Sequence, residues 1–141
     1  LQKAYRRYCY QAVAPLGIKM SEMLCILYLY NFPKENTAHA IAQYSQLSPG
    51  MVSKSLESLR EAGYVRSQKD EQDNRIYHLY LTEKAQELVK RLRVAQSYFI
   101  SEVAQGISGE EFRQVAEVAE RMLENLAEHP QLGEGARSKE E

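Results

Sequence analysis

From residue 48 to residue 63 the chain marks both ends of one helix, and that helix constrains everything folded around it. Ser48 offers a hydroxyl to the free backbone N–H groups of a first turn. Pro49 suits the first helical position, and Gly63 accepts the left-handed backbone that closes the far end. Val52, Leu56 and Leu59 recur at spacings of four and three, so they share one face and that face is buried. The opposite face carries Gly50, Ser53, Lys54 and Glu57, which are small, hydroxyl or charged groups at the N-terminal end. A helix divided in this way packs on one side and meets something outside the chain on the other.

The neighbouring residues supply the packing partner. Thr37 caps a shorter helix running to about residue 44, kept slim by Ala38, Ala40 and Ala42, with Ile41 pointing inward. Ala42 and Val52 lie ten positions apart, the spacing of a small residue on one helix beneath an apolar residue on a second that crosses it closely. The turn between them places Gln46 where glycine is usual. Glutamine tolerates positive φ poorly, so a turn of slightly different shape is expected.

After Gly63, residues 64–69 and 75–81 read as strands, with Ile76, His78 and Tyr80 alternating against Tyr77, Leu79 and Leu81. The tip between them, Lys69-Asp70-Glu71-Gln72-Asp73-Asn74-Arg75, is too polar to bury and must project. A slim helix, a turn, a polar helix and a projecting hairpin spell a winged helix-turn-helix: mainly α, with a small β-hairpin wing. In helix-turn-helix proteins the N-terminal end of the second helix enters the DNA major groove.

The flanks read as helices. Residues 1–14 are rich in Tyr, Arg and Gln and stop at Pro15 and Gly17. Residues 21–30 are apolar almost all round, as a central buried helix is. Thr82, with Glu83 in the first turn, caps a long helix whose apolar positions are Ala85, Leu88, Val89, Leu92, Ala95, Phe99 and Val103. Gly106 breaks it. Ser108 and Glu111 form a capping box for a last helix with Phe112, Val115, Ala119, Met122 and Leu126 on one stripe, ended by His129 and Pro130. The division expected is a winged helix-turn-helix over 18–92, a helical dimerisation region over 1–15 and 93–129, and a disordered tail over 131–141. The apolar excess on the flanks, including Leu92, Phe99, Phe112, Met122 and Leu126, favours a homodimer over a longer monomer core.

Charge fits this division. The net charge of -1 averages a basic body and an acidic end. Residues 1–93 hold 14 Lys and Arg against 9 Asp and Glu, net +5, and residues 94–141 hold 4 against 10, net -6. That asymmetry favours nucleic acid on one side. The longest apolar run, residues 23–30, falls far below the roughly 18 residues of a membrane span. The chain begins at Leu1 without Met, so a preceding piece is expected. Cys9 and Cys25 make no disulfide framework, and a reducing, cytoplasmic setting is the simplest expectation.

The remaining chemistry is sparse. No glycine-rich phosphate loop or nucleophile motif occurs, and Gly50 stands alone, so no enzyme is expected. His39, His78 and His129 share no ligand spacing and no Cys-x-x-Cys occurs, so neither metal nor cofactor is expected. Cys9, beside Arg6 and Arg7, is open to a thiol-based redox sensor of the same fold, against the preferred reading of a buried or interface thiol. Cys25 reads as inert core. Of ten tyrosines, Tyr5, Tyr8, Tyr10, Tyr28 and Tyr30 fall on the first two helices. Packing at a dimer interface is the preferred reading, and an aromatic effector pocket involving Tyr10 and Tyr28 is the alternative.

Taken in order, several stretches resemble the MarR family of bacterial transcriptional regulators. They are Leu47-Ser48-Pro49-Gly50-Met51-Val52-Ser53-Lys54-Ser55-Leu56, Leu59-Arg60-Glu61-Ala62-Gly63-Tyr64-Val65, Asp70-Glu71-Gln72-Asp73-Asn74-Arg75 and Leu79-Tyr80-Leu81-Thr82-Glu83-Lys84-Ala85. The resemblance runs from about residue 18 to residue 92. Three positions depart from it: Gln72 replaces the first wing arginine, Ala85 a common glycine, and Lys54 the usual arginine. Lysine meets phosphate or guanine as a point charge without the bidentate fork. The resemblance implies a homodimer on a pseudo-palindromic double-stranded operator, with a recognition helix in each major groove and a wing in each minor groove. DNA contacts are then expected at Ser48, Pro49, Gly50, Ser53, Lys54, Lys69, Asp73 and Arg75. It also implies a repressor relieved by oxidation or by a small effector, aromatic or anionic. A winged helix that binds protein instead of DNA is the competing class, kept open by Glu57, Asp70, Glu71 and Asp73.

Overall fold

The computed structural model describes residues 1–129. These form two compact units, one running Leu1–Glu102 and a second beginning at Val103. In the first, α1 (Gln2–Val13) and a single 3-10 turn (Ala14–Leu16) lead to α2 (Met20–Asn31), α3 (Ala38–Ser45) and α4 (Pro49–Glu61). Two antiparallel strands follow, β1 (Val65–Lys69) and β2 (Tyr77–Leu81), then a 3-10 turn (Glu83–Ala85) and α5 (Gln86–Val103). The second unit holds α6 (Gly109–Glu128). The tail expected over 131–141 lies outside the described residues.

Helix α2 is the centre of the core, with Met23, Cys25, Ile26, Leu27, Tyr28 and Leu29 all buried. Around it pack Cys9 and Val13 of α1, Ile41 of α3, Val52, Leu56 and Leu59 of α4, and Leu88, Val89 and Leu92 of α5. Glu22 is also buried, at 4% exposure. Its Oε2 accepts the Lys19 backbone N–H at 2.8 Å, so the carboxylate neutralises a free donor at the helix N-terminus. The serine pair Ser55–Ser21, Oγ to Oγ at 2.8 Å, joins the inner face of α4 to α2.

The turn between α3 and α4 resolves the question posed by Gln46. That residue takes the left-handed conformation itself, φ 60° and ψ 25°, and no other non-glycine residue described has positive φ. Gln46 therefore bears the strain of a left-handed backbone that a glycine would adopt without it. Ser45, just before it, is buried and donates its hydroxyl to the Ile41 carbonyl at 2.6 Å.

The hairpin starts later than the sequence indicates: β2 begins at Tyr77, not residue 75, because the tip folds back on itself through Asp70 N–H to the Ile76 carbonyl and Ile76 N–H to the Asp73 carbonyl. The register pairs Val65 with Leu81, Ser67 with Leu79 and Lys69 with Tyr77. Leu79 and Val65 face the core. The free edge of β2 is covered, since the Leu79 N–H donates to the Asn36 carbonyl at 2.8 Å, from the loop ahead of α3. Thr82 makes no side-chain cap on the following turn. Its hydroxyl donates instead to the Gly63 carbonyl at 2.6 Å, tying the hairpin's exit to the end of α4.

Leu92 is 1% exposed within the first unit and belongs to its core, so it does not contribute to a free apolar stripe. Further along α5 the contacts are with α1: Tyr5 meets Phe99 edge to face at 5.5 Å, Tyr8 stacks on Tyr98 at 6.0 Å, and Gln96 donates its amide to the Tyr5 hydroxyl. In the second unit, the Ser108 hydroxyl accepts the Glu111 N–H at 3.2 Å and Glu111 Oε2 accepts the Ser108 N–H at 2.8 Å, the expected capping box. No residue of α6 is buried, and Phe112, Val115, Val118, Met122, Leu123 and Leu126 are all exposed.

Candidate nucleic-acid interface

Helix α4 presents its N-terminal end outward because its other face is fixed. Val52, Ser55, Leu56 and Leu59 are buried, which leaves Gly50, Ser53, Lys54 and Glu57 exposed on the opposite side. Ser48 is spent on the fold, accepting the Met51 N–H at 3.2 Å through its hydroxyl. Pro49 opens the helix and is exposed. A Cβ placed on Gly50 meets nothing within 4 Å, so internal packing does not require glycine there. Ser48, Pro49, Gly50, Ser53 and Lys54 thus lie together on one exposed helix end.

The wing holds Lys69, Asp73 and Arg75. Lys69 is exposed at the last position of β1. The Arg75 side chain is 90% exposed, yet it is ordered by Asp73, with Nε 3.1 Å from Oδ1 and Nη2 3.0 Å from Oδ2. Those hydrogen bonds hold the Asp73 carboxyl below its ordinary range.

The organising residue of the wing is Asp70, which was not among the residues expected to contact DNA. Its Oδ1 accepts the backbone N–H groups of both Gln72 and Asp73 at 2.8 Å. Its Oδ2 lies 2.8 Å from His78 Nε2, and the other ring nitrogen, Nδ1, lies 2.8 Å from Asn36 Oδ1. The His78 hydrogen bond, followed by the two backbone donors, brings the Asp70 carboxyl to about 2. An aspartate opening a loop, with its oxygen on the next N–H groups, is a local signal that sequence carries. The bond from His78 to Asn36 spans 42 positions and has no such signal.

Two arginines also lie near this surface. The Arg66 guanidinium sits 4.3 Å over the Tyr80 ring, and Arg60, in the last turn of α4, reaches Ser67 of β1. Both are exposed.

The structure does not bring Tyr10 and Tyr28 into one site. Tyr28 is 3% exposed and packs with Phe32 and Tyr44 at 5.1 and 5.3 Å. It lines a cavity of about 140 Å³ that Tyr10 does not reach, smaller than the roughly 300 Å³ at which ligand pockets begin. A wider groove of about 610 Å³ lies between α1 and α5, where Tyr8, Gln11, Lys90, Arg91 and Tyr98 face it. The thiols are also placed differently from a sensor. Cys9 is fully buried, and burial pushes its thiol up instead of Arg6 and Arg7 drawing it down. Burial pushes Cys25 up to about 12. Among the described residues no group of side chains converges as a metal site, and no single helix is long and apolar enough to cross a membrane.

Residues 23–85 match the family of winged helix DNA-binding domains. Among solved structures, the chain is similar to the transcriptional regulator PA3341, at 25% identity over 91% of this chain and 93% of that one, with a TM-score of 0.77. A MarR transcriptional regulator from Methanosarcina mazei Go1 shares 23% identity over 90% and 91%, with a TM-score of 0.72. The S. aureus MepR–DNA complex shares 22% identity over 89% and 92%, with a TM-score of 0.68. At these last two identities the likeness establishes the fold.

Proposed function

We propose that this chain, which has the winged-helix fold seen in MarR regulators, is a DNA-binding protein that works as a homodimeric, ligand-responsive repressor on a pseudo-palindromic operator. Proteins of this type are regulators and not enzymes. The observation that carries the proposal is the pairing of two outward-facing elements, both fixed from behind. Helix α4 offers Gly50, Ser53 and Lys54 while its inner face is locked in the core. The wing offers Lys69 and an Arg75 ordered by Asp73. Helix α4 enters the major groove, where Lys54 meets guanine or phosphate, and Arg75 enters the adjoining minor groove. Solved MepR bound to DNA supports this reading by fold.

The dimerisation region is assigned to residues 1–15 and 93–129, where α6 and the outer part of α5 both carry exposed apolar side chains. The effector is an aromatic anion held in the groove between α1 and α5. There Tyr8 and Tyr98 supply apolar faces and Lys90 supplies charge, beside Arg91, which is paired to Glu87 at 3.3 Å. The working compartment is the cytoplasm. Selection of bound fragments from random duplex DNA tests the central claim. Recovery of a two-fold symmetric sequence with half-sites about 10 base pairs apart supports it. Failure to enrich any sequence at low salt favours the protein-binding alternative.

A further inference from the structure

We propose that His78 is the positioning residue for the wing arginine, and that it holds both of its anchors, Asn36 and Asp70, by donating from two protonated ring nitrogens. The inference rests on the DNA-binding reading above. Its basis is a relay of short contacts from the protein interior to the wing tip. Asn36 is 4% exposed and is fixed by its carbonyl, which takes the Leu79 N–H at 2.8 Å. Its side-chain Oδ1 lies 2.8 Å from His78 Nδ1, and His78 Nε2 lies 2.8 Å from Asp70 Oδ2. The other oxygen of Asp70 holds the N–H groups of Gln72 and Asp73. Asp73 then holds Arg75 by backbone N–H, Nε and Nη2. One imidazole therefore links a buried loop to an exposed guanidinium.

The chemistry of the ring sets the condition. Both atoms facing it are oxygens that accept, so a ring that satisfies both donates twice, and an imidazole with two N–H groups is the cation. The neutral ring keeps one of these bonds, or requires Asn36 to turn its amide over. In either case the wing turn is held at one anchor in place of two. Histidine ordinarily changes charge at about pH 6.5, inside the range a cell visits. The titratable neighbours are Lys69 from β1, Glu71 from the loop and Tyr80 from β2, with Glu35 preceding Asn36 in the loop before α3. Asp70, bonded to the ring, remains a carboxylate throughout this range. Only the doubly donating form satisfies both facing oxygens as they stand.

Two measurements on the full chain test this. In the first, without DNA, the ring nitrogens of His78 and the amide signals of Gln72 and Asp73 are followed by NMR through the transition. We expect the two amides to shift with the ring and to sharpen in the acid form. Amides that ignore the ring's titration, or a ring that stays neutral with the Asn36 amide reversed, overturn the relay. In the second, affinity for a duplex recovered by selection is measured at about pH 6 and about pH 8 at constant ionic strength. We expect wild type to lose about tenfold more affinity over this interval than His78→Gln, the scale of one charge-assisted hydrogen bond. Asp70→Asn retains the acceptor for the wing turn but not the charge, and should behave like His78→Gln. Lys54→Ala should bind more weakly with the wild-type pH profile. Equal pH slopes in wild type and His78→Gln overturn the proposal. Absence of binding at every pH instead overturns the DNA-binding reading, while the NMR measurement still judges the relay.

Discussion

Asp73 grips Arg75 with both carboxylate oxygens, Oδ1 to Nε at 3.1 Å and Oδ2 to Nη2 at 3.0 Å, while the arginine side chain remains 90% exposed. An exposed guanidinium held this way is oriented without being packed. Its orientation contributes little to folding, since exposed ion pairs are screened by water. The guanidinium is thereby left open to the DNA contact proposed for it.

Arg75→Ala should therefore leave thermal stability unchanged and weaken operator binding. In a salt titration the slope of log K against log salt should flatten by about two units per dimer, one phosphate-scale contact from each wing. Preference for A·T pairs flanking the half-sites should fall too, because a narrow A·T minor groove attracts an inserted arginine. An unchanged slope with unchanged flanking preference returns Arg75 to a surface ion pair.

Lys54→Ala should reduce affinity while leaving the urea unfolding midpoint in place, because Lys54 is exposed and the core face of α4 lies opposite. Lys54→Arg offers a bidentate fork in place of a point charge and should sharpen discrimination for guanine at that step. If Lys54→Ala binds every sequence as wild type does, α4 is not the reader.

Gln46→Gly should stabilise the chain by about 0.5 kcal/mol. The gain is the relief of a left-handed residue bearing a side chain, less the extra freedom glycine gives the unfolded chain. Urea unfolding followed by circular dichroism reads this directly. A lower midpoint for the glycine variant shows that the Gln46 side chain contributes something the strain does not reveal.

The protein should sediment at micromolar concentration as twice 16.2 kDa. A Phe112→Glu, Met122→Glu double variant should sediment as a monomer with its helix content largely kept, because both side chains are exposed along α6. A clean wild-type monomer that still binds a palindrome at full affinity removes the dimer from the mechanism.

Stability should fall at alkaline pH. Burial raises the Cys25 thiol from its ordinary value of 9.0 to about 12, so the folded chain keeps a proton that the unfolded chain releases. The corresponding stability is complete below about pH 9 and is lost as pH climbs toward 12. Cys25→Ala should flatten this decline, whatever its cost at neutral pH. Neither thiol should react with a soluble disulfide reagent until urea unfolds the chain. Rapid native labelling of Cys9 revives the redox-sensor reading.

The parts of this fold legible in the sequence are those set by contacts three or four positions apart. The caps at Thr37, Ser48 and Ser108, and the inward face of α4, follow from local spacing. Residues 75 and 76 continue the strand alternation in sequence but not in structure, because Asp70 and Asp73 bend the backbone of the tip away. Thr82 read as a cap, but a closer acceptor, the Gly63 carbonyl, took its hydroxyl from the far side of the hairpin. Leu92 could not be assigned to core or interface by periodicity, since both uses place apolar residues on one stripe. Of the candidate site, Asp73 and Arg75 lie two positions apart and pair through the local backbone turn. His78 and Asn36 carry no such local signal, because only the folded hairpin brings them together.

Helix α6 carries its own means of staying helical. Ser108 and Glu111 close its first turn, and Glu110, Arg113 and Glu117 pair along its surface one turn apart. None of its side chains depends on burial among the described residues. In the proposed dimer these local contacts would add to the packing of the exposed apolar stripe, which supplies most of the stability of a helix of this kind.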